Sequence, residues 1–151
     1  MFFLKKFITK TIFLLFIALF TIFYPMFISI YVFLPLMIGV MGYVLIQGLE
    51  ENRVMKILVP IIYFINLDLN LSLPIFLSII SIFMIYTIVQ NSFLAKTKCY
   101  LCKSIFIVIM VDISYLLFLI GYDFIFQTQS VILDELLIYS LIVDLILAMI
   151  L

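Results

Sequence analysis

The sequence has no histidine and no tryptophan in 151 residues, and only 11% of its residues are charged. Histidine is the usual proton donor or acceptor near neutral pH and the commonest metal ligand, so its absence removes most acid–base and metal chemistry. The formal net charge is zero, and no basic run is long enough to bind nucleic acid. We therefore expect a protein that is not an enzyme, uses no cofactor or metal ion, and has no nucleic-acid partner.

Apolar residues dominate instead. They make up 69% of the chain, and the mean hydropathy is +1.49. A soluble domain has an apolar share of about 45–50%, so a chain of this length cannot bury the surplus in one core. No residue between Thr11 and Ile46 is charged. As one helix that stretch would be about 54 Å long, whereas about 20 residues cross a bilayer. The composition predicts an integral protein of the lipid bilayer, with two spans in this stretch.

Prolines and polar clusters divide the chain into six predicted spans. Pro25 and Pro35 disfavour helix before them and lack a backbone donor, which predicts a connection at residues 25–34. In an alternative interpretation, Pro25 only kinks a longer first helix and the turn is tighter. Pro74 is expected in the first turn of the fourth span, and Gly121 at the end of the fifth. A single membrane domain is predicted over residues 1–151, with spans at 7–24, 36–49, 54–67, 73–90, 104–122 and 134–151.

The basic residues test this number of spans. Six spans with a cytoplasmic N-terminus put all eight lysines and arginines on the cytoplasmic side, as the positive-inside rule requires. Five spans, with the first two fused, would move one of the basic groups to the other side. The predicted fold class is therefore all-α: a polytopic membrane protein with six transmembrane helices and cytoplasmic N- and C-termini.

A polar stretch follows the third predicted span. Asn66, Asp68 and Asn70 alternate with apolar residues ahead of Pro74. A period of two fits an extended segment or the frayed end of a helix better than a continuing helix. We expect the stretch on the outer side, with Asp68 packed between helix ends. A solvated loop and a packing or partner-binding site are both open interpretations.

Two acidic residues lie inside predicted spans, Asp112 in the fifth and Asp144 in the sixth, at similar depth. An intramembrane carboxyl group is costly unless it is protonated, paired or hydrated, so both should face the interior. If the two helices are neighbours, the acids share a polar pocket. Proton transfer or contact with a partner helix is one interpretation. In the other, Ser140, Ser114 or Tyr115 satisfies protonated acids that only hold helices together.

Cys99 and Cys102 form a Cys-x-x-Cys motif beside a membrane helix, an arrangement also found in quinone-reducing disulfide-generating enzymes. Here the pair falls on the predicted cytoplasmic side, where thiols are kept reduced, and the chain has no further cysteine to relay a disulfide. Two cysteines also supply only half of a structural zinc site. We expect incidental thiols at the start of a helix.

Several short motifs occur in the order and at the spacing of a known family. Val111-Asp112-Ile113 lies in the fifth predicted span, and Asp144 in the last. The other motifs are Leu34-Pro35-Leu36, Gln47 to Arg53, Asn66-Leu67-Asp68 and Leu71-Ser72-Leu73-Pro74. From about Pro25 onward, this pattern resembles the rod shape-determining protein family MreD.

The resemblance implies a non-enzymatic scaffold of the cell-elongation machinery in the bacterial inner membrane. It would control rod shape by binding an MreC-like periplasmic protein and, through it, linking the actin-like cytoskeleton to the peptidoglycan synthases. The six-span arrangement is also similar to that of the substrate-binding subunits of energy-coupling-factor transporters. A carrier of that kind needs several hydrogen-bonding side chains at one outward-facing depth, for which the sequence offers mainly Asn66, Asp68 and Asn70.

Overall fold

The computed structural model is all-helical, and it describes residues 2–31, 33–91, 100–127 and 135–150. Within these ranges there are six helices and no strand. The helices are α1 (Phe2–Ile30), α2 (Ile38–Glu51), α3 (Val54–Asn70), α4 (Leu77–Asn91), α5 (Tyr100–Phe126) and α6 (Glu135–Ile150). The predicted helical class is confirmed, and so are the number and order of the helices.

One helix is clearly of membrane-spanning character. Leu101–Phe126, within α5, is long and apolar enough to cross a bilayer, judged by length and composition. Three shorter apolar helical stretches accompany it, namely Leu15–Ile30, Leu77–Asn91 and Leu137–Ile150. The six membrane spans therefore remain a prediction.

Helix α2 lies at the centre of the bundle, where it packs against α3, α4, α5 and α6. Of the helices described, it alone has no large hydrophobic side chain exposed at its surface. Helix α1 packs on α3, α4 on α5, and α5 on α6. The core between them is built from aliphatic and aromatic side chains, the most deeply buried of which include Leu45, Ile46, Tyr63, Phe64, Leu67, Ile82 and Tyr115.

The predicted break at Pro25 is wrong. Helix α1 continues through Pro25 to Ile30, so the connection is shorter than residues 25–34. The alternative with a longer first helix and a tighter turn is the correct one. A proline leaves the carbonyl group four residues earlier, here that of Thr21, without its helical donor. Asn66 of α3 supplies a replacement, and its Nδ2 lies 3.2 Å from the Thr21 oxygen.

Five further boundaries differ from prediction by more than two residues. Helices α1 and α5 begin at Phe2 and Tyr100, before the predicted residues 7 and 104. Helix α3 continues to Asn70, so the extended interpretation of the polar stretch is wrong. Helix α4 begins at Leu77 and not at residue 73, because residues 71–76 first fold back against the end of α3; Pro74 lies in this turn. Helix α5 passes Gly121 and ends at Phe126, since one glycine costs a helix only about 1 kcal/mol relative to alanine. The second and sixth predicted spans agree with α2 and α6 within two residues; residues 134 and 151 lie outside the described part.

Charged side chains gather where α2 ends and α3 and α5 begin. Lys103 Nζ lies 2.8 Å from a Glu50 carboxylate oxygen, and Glu51 accepts Lys56 Nζ at 3.0 Å and Arg53 Nε at 3.1 Å. We call these five residues the charged pole. The hydrogen bond from Lys56, with the charges of Lys56 and Arg53, holds the pKa of Glu51 below its ordinary value. The predicted cytoplasmic residues Lys96 and Lys98 lie outside the described residues.

Candidate functional site

The start of α2 is where polar side chains from four other helices meet. The connection before it, described at residues 33–37, enters the core, where both Leu36 and Ile38 are buried. Met37, at the N-cap position, has a left-handed backbone with φ of 51° and provides no side-chain cap. The first amides and the preceding carbonyls therefore need partners from elsewhere in the bundle, because a helix cannot satisfy its own first N–H groups.

Hydroxyl groups from three helices bond this connection. Tyr24 of α1 donates to the Pro35 carbonyl at 2.9 Å, and Tyr63 of α3 donates to the Leu36 carbonyl at 2.8 Å. Ser140 of α6 accepts the Leu36 N–H at 3.1 Å. Non-helical backbone is thereby satisfied inside the protein, which a buried polar segment requires.

Two carboxyl groups complete the arrangement. Asp144 of α6 accepts the backbone N–H of Gly39 through Oδ2 at 2.8 Å. Asp112 of α5 lies against the same glycine, since a Cβ atom placed on Gly39 would be 2.6 Å from Asp112 Oδ2. Both acids are buried, and the N-terminus of α2 offers a favourable partial positive charge to a carboxylate there. We call Gly39, Asp112 and Asp144 the carboxyl pair site.

The structure therefore brings together the two acids that the sequence placed at similar depth. The serines proposed as their partners form other bonds: Ser140 bonds Leu36, and Ser114 Oγ donates to the carbonyl of its own helix at Val111. Among the described residues, Asp112 Oδ2 and Asp144 Oδ1 have no hydrogen-bond partner.

Asn66 and Asn70 form a hydrogen-bonded pair on the face of α3 that meets α1. Asn70 Nδ2 donates to Asn66 Oδ1 at 2.7 Å and to the Asn66 carbonyl at 2.8 Å. This orients Asn66 so that its Nδ2 reaches the carbonyl oxygens of Thr21 at 3.2 Å and Ile22 at 2.7 Å. The two amides are engaged with the protein itself.

Asp68 connects the end of α3 to the start of α4. Its Oδ2 accepts the backbone N–H of Phe76 at 3.1 Å and the hydroxyl of Ser78 at 3.0 Å. Its backbone carbonyl accepts the N–H of Leu73 at 2.9 Å, and Pro74 bonds through its carbonyl to the Leu77 N–H at 3.2 Å. Asp68 is buried, so it packs between helix ends and is not a solvated loop residue.

An open cavity of about 490 Å³ lies beside the connection between α1 and α2. Its lining is almost wholly apolar and consists of Tyr24, Phe27, Tyr31, Phe33 and Leu34. None of the predicted site residues faces it. A polar solute would find few hydrogen-bonding groups there.

The acidic residues and the cysteines bear on metal and thiol chemistry. Within the described ranges, no group of three acidic, cysteine or histidine residues is arranged to hold a metal ion. Cys102 is disulfide-bonded, so the expectation of a free thiol at this residue is wrong. Cys99 lies outside the described residues.

No model of a known protein family matches the chain, and comparison with curated proteins and with solved structures gave no match. The resemblance to the MreD family therefore remains a prediction.

The sequence did not predict that the backbone of Pro35 and Leu36 is hydrogen-bonded by side chains from other helices. These side chains are Tyr24, Tyr63 and Ser140. The available signal was weak: Pro35 and Gly39 are four residues apart in an uncharged stretch, and two acids lie inside other predicted spans. Which tyrosines and serines reach that stretch depends on helix packing, which hydrophobic periodicity does not encode.

Proposed function

We propose that this chain is a polytopic membrane protein with six transmembrane helices and cytoplasmic N- and C-termini. The apolar surface supports this. Large hydrophobic side chains are exposed on every described helix except the central α2, and Phe33 and Phe124 are 90% and 85% exposed. Contiguous apolar surface of this extent is costly in water but favourable in lipid.

Helix α2 is shorter than a bilayer core is thick, but the non-helical connection before it can also lie at membrane depth because its polar groups are hydrogen-bonded within the protein. Helix α2 has 14 residues and reaches about 21 Å, less than the roughly 30 Å of a hydrocarbon core. Non-helical backbone is tolerated at membrane depth where it is enclosed by protein and its polar groups are satisfied. Residues 35–36 meet that condition through Tyr24, Tyr63 and Ser140.

The charges support the same orientation. Glu50, Arg53 and Lys103 are brought to one end of the bundle from α2, the following loop and α5. In a six-span topology this charged pole is cytoplasmic, in agreement with the positive-inside rule. Asn66, Asp68 and Asn70 then belong to the outward end.

Within the membrane, we propose that the protein acts as a non-enzymatic scaffold of the cell-elongation machinery in the bacterial inner membrane. It would bind an MreC-like periplasmic protein and, through it, the peptidoglycan synthases. One observation carries the choice of a scaffold over a carrier. Asn66, Asp68 and Asn70 each bond the protein's own backbone, so most of the hydrogen-bonding capacity that a carrier would need for its solute is already used. Of the three side chains, Asp68 alone keeps a buried oxygen, Oδ1, without a hydrogen-bond partner among the described residues.

Topology can be tested by labelling single cysteines in a chain in which Cys99 and Cys102 are replaced by serine. Ser72→Cys lies in the turn after α3, and Asn52→Cys lies beside the charged pole. We expect a membrane-impermeant maleimide to label Ser72→Cys in intact spheroplasts and Asn52→Cys only after permeabilisation. Labelling of both from the same side contradicts an odd number of crossings between them.

The scaffold role can be tested by purifying the tagged chain from native membranes in mild detergent. We expect a single-span periplasmic protein with a coiled-coil segment to co-purify, together with peptidoglycan synthases. A matched control is an unrelated six-span protein with the same tag. Recovery of a bound small solute without such partners supports the carrier instead.

A further inference from the structure

The carboxyl pair site has more negative charge available than its surroundings can neutralise. Asp112 and Asp144 meet at one glycine whose single N–H bonds Asp144 at 2.8 Å. Asp112 is 7% exposed and Asp144 is fully buried. Two buried carboxylates that lie against the same glycine repel each other, and the N-terminus of one helix supplies only about half a unit of positive charge.

Among the described side chains, the bases that form ion pairs do so with Glu50 and Glu51 and not with either acid. Lys103 is the described base on α5, nine residues or about 13 Å before Asp112, and it bonds Glu50. Helix α4 contains no acidic or basic residue, and α2 has its acidic residues at the far end. The hydroxyls of Tyr24 and Tyr63, which approach the start of α2 from α1 and α3, donate to backbone carbonyls. Tyr43 and Tyr115 lie about one turn along α2 and α5 from Gly39 and Asp112, and both are buried.

We propose that Asp112 and Asp144 form a binding site for one exchangeable proton. The proton resides on Asp112 Oδ2, which has no hydrogen-bond partner among the described residues, and Asp144 stays ionised because it accepts the Gly39 N–H. A proton fits better than a metal ion, since hard cations take six or more oxygen ligands and the site offers two unpartnered oxygens. Binding the proton leaves one negative charge at the N-terminus of α2.

The site therefore connects protonation to the position of the α1–α2 connection. Asp144 and Ser140 are one turn apart on α6 and hold Gly39 and Leu36 respectively. Loss of the proton places a second negative charge beside Gly39. The repulsion acts directly between α5 and α6 at the point where both meet α2.

Infrared spectroscopy of the full-length chain in lipid vesicles tests the proposal, because the carbonyl stretch of a protonated carboxyl group absorbs apart from amide and carboxylate bands. We expect such a band at neutral pH in potassium chloride. It should disappear in Asp112→Asn and persist in Glu51→Gln, which removes an exposed carboxyl group at the charged pole. If Asp112→Asn does not fold, Asp112→Glu keeps the acid and should shift the band.

Three outcomes overturn the proposal. The band is absent from the wild-type chain at every pH at which it is folded. The band is unchanged in Asp112→Asn or Asp112→Glu. Alternatively, the band is present in choline chloride and disappears in sodium chloride at the same pH, which assigns the site to an alkali-metal ion.

Discussion

Asp144 Oδ2 lies 2.8 Å from the backbone nitrogen of Gly39, 105 residues away in the sequence, so α6 caps the N-terminus of α2. Helix α2 provides no side-chain cap of its own, and the residue at its N-cap position, Met37, has a left-handed backbone. The N-terminus of the central helix is therefore capped by a side chain from another helix. A side chain added at residue 39 would contact α5 at this capped N-terminus.

Gly39→Ala should destabilise the fold. Its Cβ would lie 2.6 Å from Asp112 Oδ2 and 2.7 Å from Val108 Cγ1, so either these two side chains or the helices that carry them must shift. Overpacking of this kind costs about 1–3 kcal/mol. Thermal unfolding of the purified protein in detergent measures the change. Gly121→Ala is the matched control, because nothing lies within 4 Å of its Cβ, and there we expect no loss or a gain of about 0.5–1 kcal/mol. Equal effects of the two substitutions contradict the close approach at Gly39.

Asn66→Ala should destabilise the contact between α1 and α3. It leaves the carbonyl oxygens of Thr21 and Ile22 without the Asn66 donor, at a cost of about 1–3 kcal/mol. Pro25→Ala restores a backbone N–H that can bond Thr21. The double variant should therefore lose less stability than the sum of the two single variants, as measured by a double-mutant cycle in detergent. Strict additivity contradicts the compensation of Pro25 by Asn66.

Asp68→Ala should lower both stability and the amount of protein in the membrane. It removes the acceptor for the Phe76 N–H and the Ser78 hydroxyl, both close to the start of α4. We expect a loss of about 1–3 kcal/mol, and a smaller loss for Ser78→Ala, which removes one of the two bonds. Thermal unfolding and immunoblotting of membranes provide the measurements. An Asp68→Ala chain with wild-type stability and membrane level contradicts the bridging role.

The ionisation of Glu51 should make the stability of the fold depend on pH. The lowered pKa of Glu51 means that the folded state favours its ionised form, chiefly through the hydrogen bond from Lys56. A group of this kind stabilises the fold above its unfolded pKa, and that contribution is lost as the pH falls through the folded pKa. Glu51→Gln should therefore melt slightly lower than the wild-type chain at neutral pH, with the difference closing in acid.

Varying the salt concentration provides the control for the Glu51 prediction, because exposed ion pairs are screened as ionic strength rises. The difference between the wild-type chain and Glu51→Gln at neutral pH should shrink in concentrated salt. A difference that grows as the pH falls reverses the expected sign and contradicts this account.

The number of helices could be predicted from the sequence because hydrophobic length and polar clusters report it directly. The similar depth of Asp112 and Asp144 also followed, since counting residues along two antiparallel helices fixes it. Their convergence required α5 and α6 to be neighbours, which the sequence left as a condition and the structure shows. The continuation of α1 through Pro25 did not follow. It depends on Asn66, 41 residues later, and only the packing of α3 on α1 brings that amide to the freed carbonyl.

The polar alternation of Asn66, Asp68 and Asn70 was misinterpreted for a related reason. A period of two in a helix sends successive polar residues to different faces, and here each face has its own polar partner. Asn66, which is held by Asn70, meets α1, whereas Asp68 meets the start of α4. The sequence alone does not show that two neighbours need polar side chains at the same level of α3.

The central proposal, that the protein controls cell shape through contacts with other proteins, is tested most directly by depleting it from the cells that produce it and imaging them. We predict that rods become round as the protein level falls, that added nutrients do not prevent this, and that re-expression of the wild-type chain restores rods. Cells that keep their shape and instead require a nutrient contradict the scaffold and support the carrier.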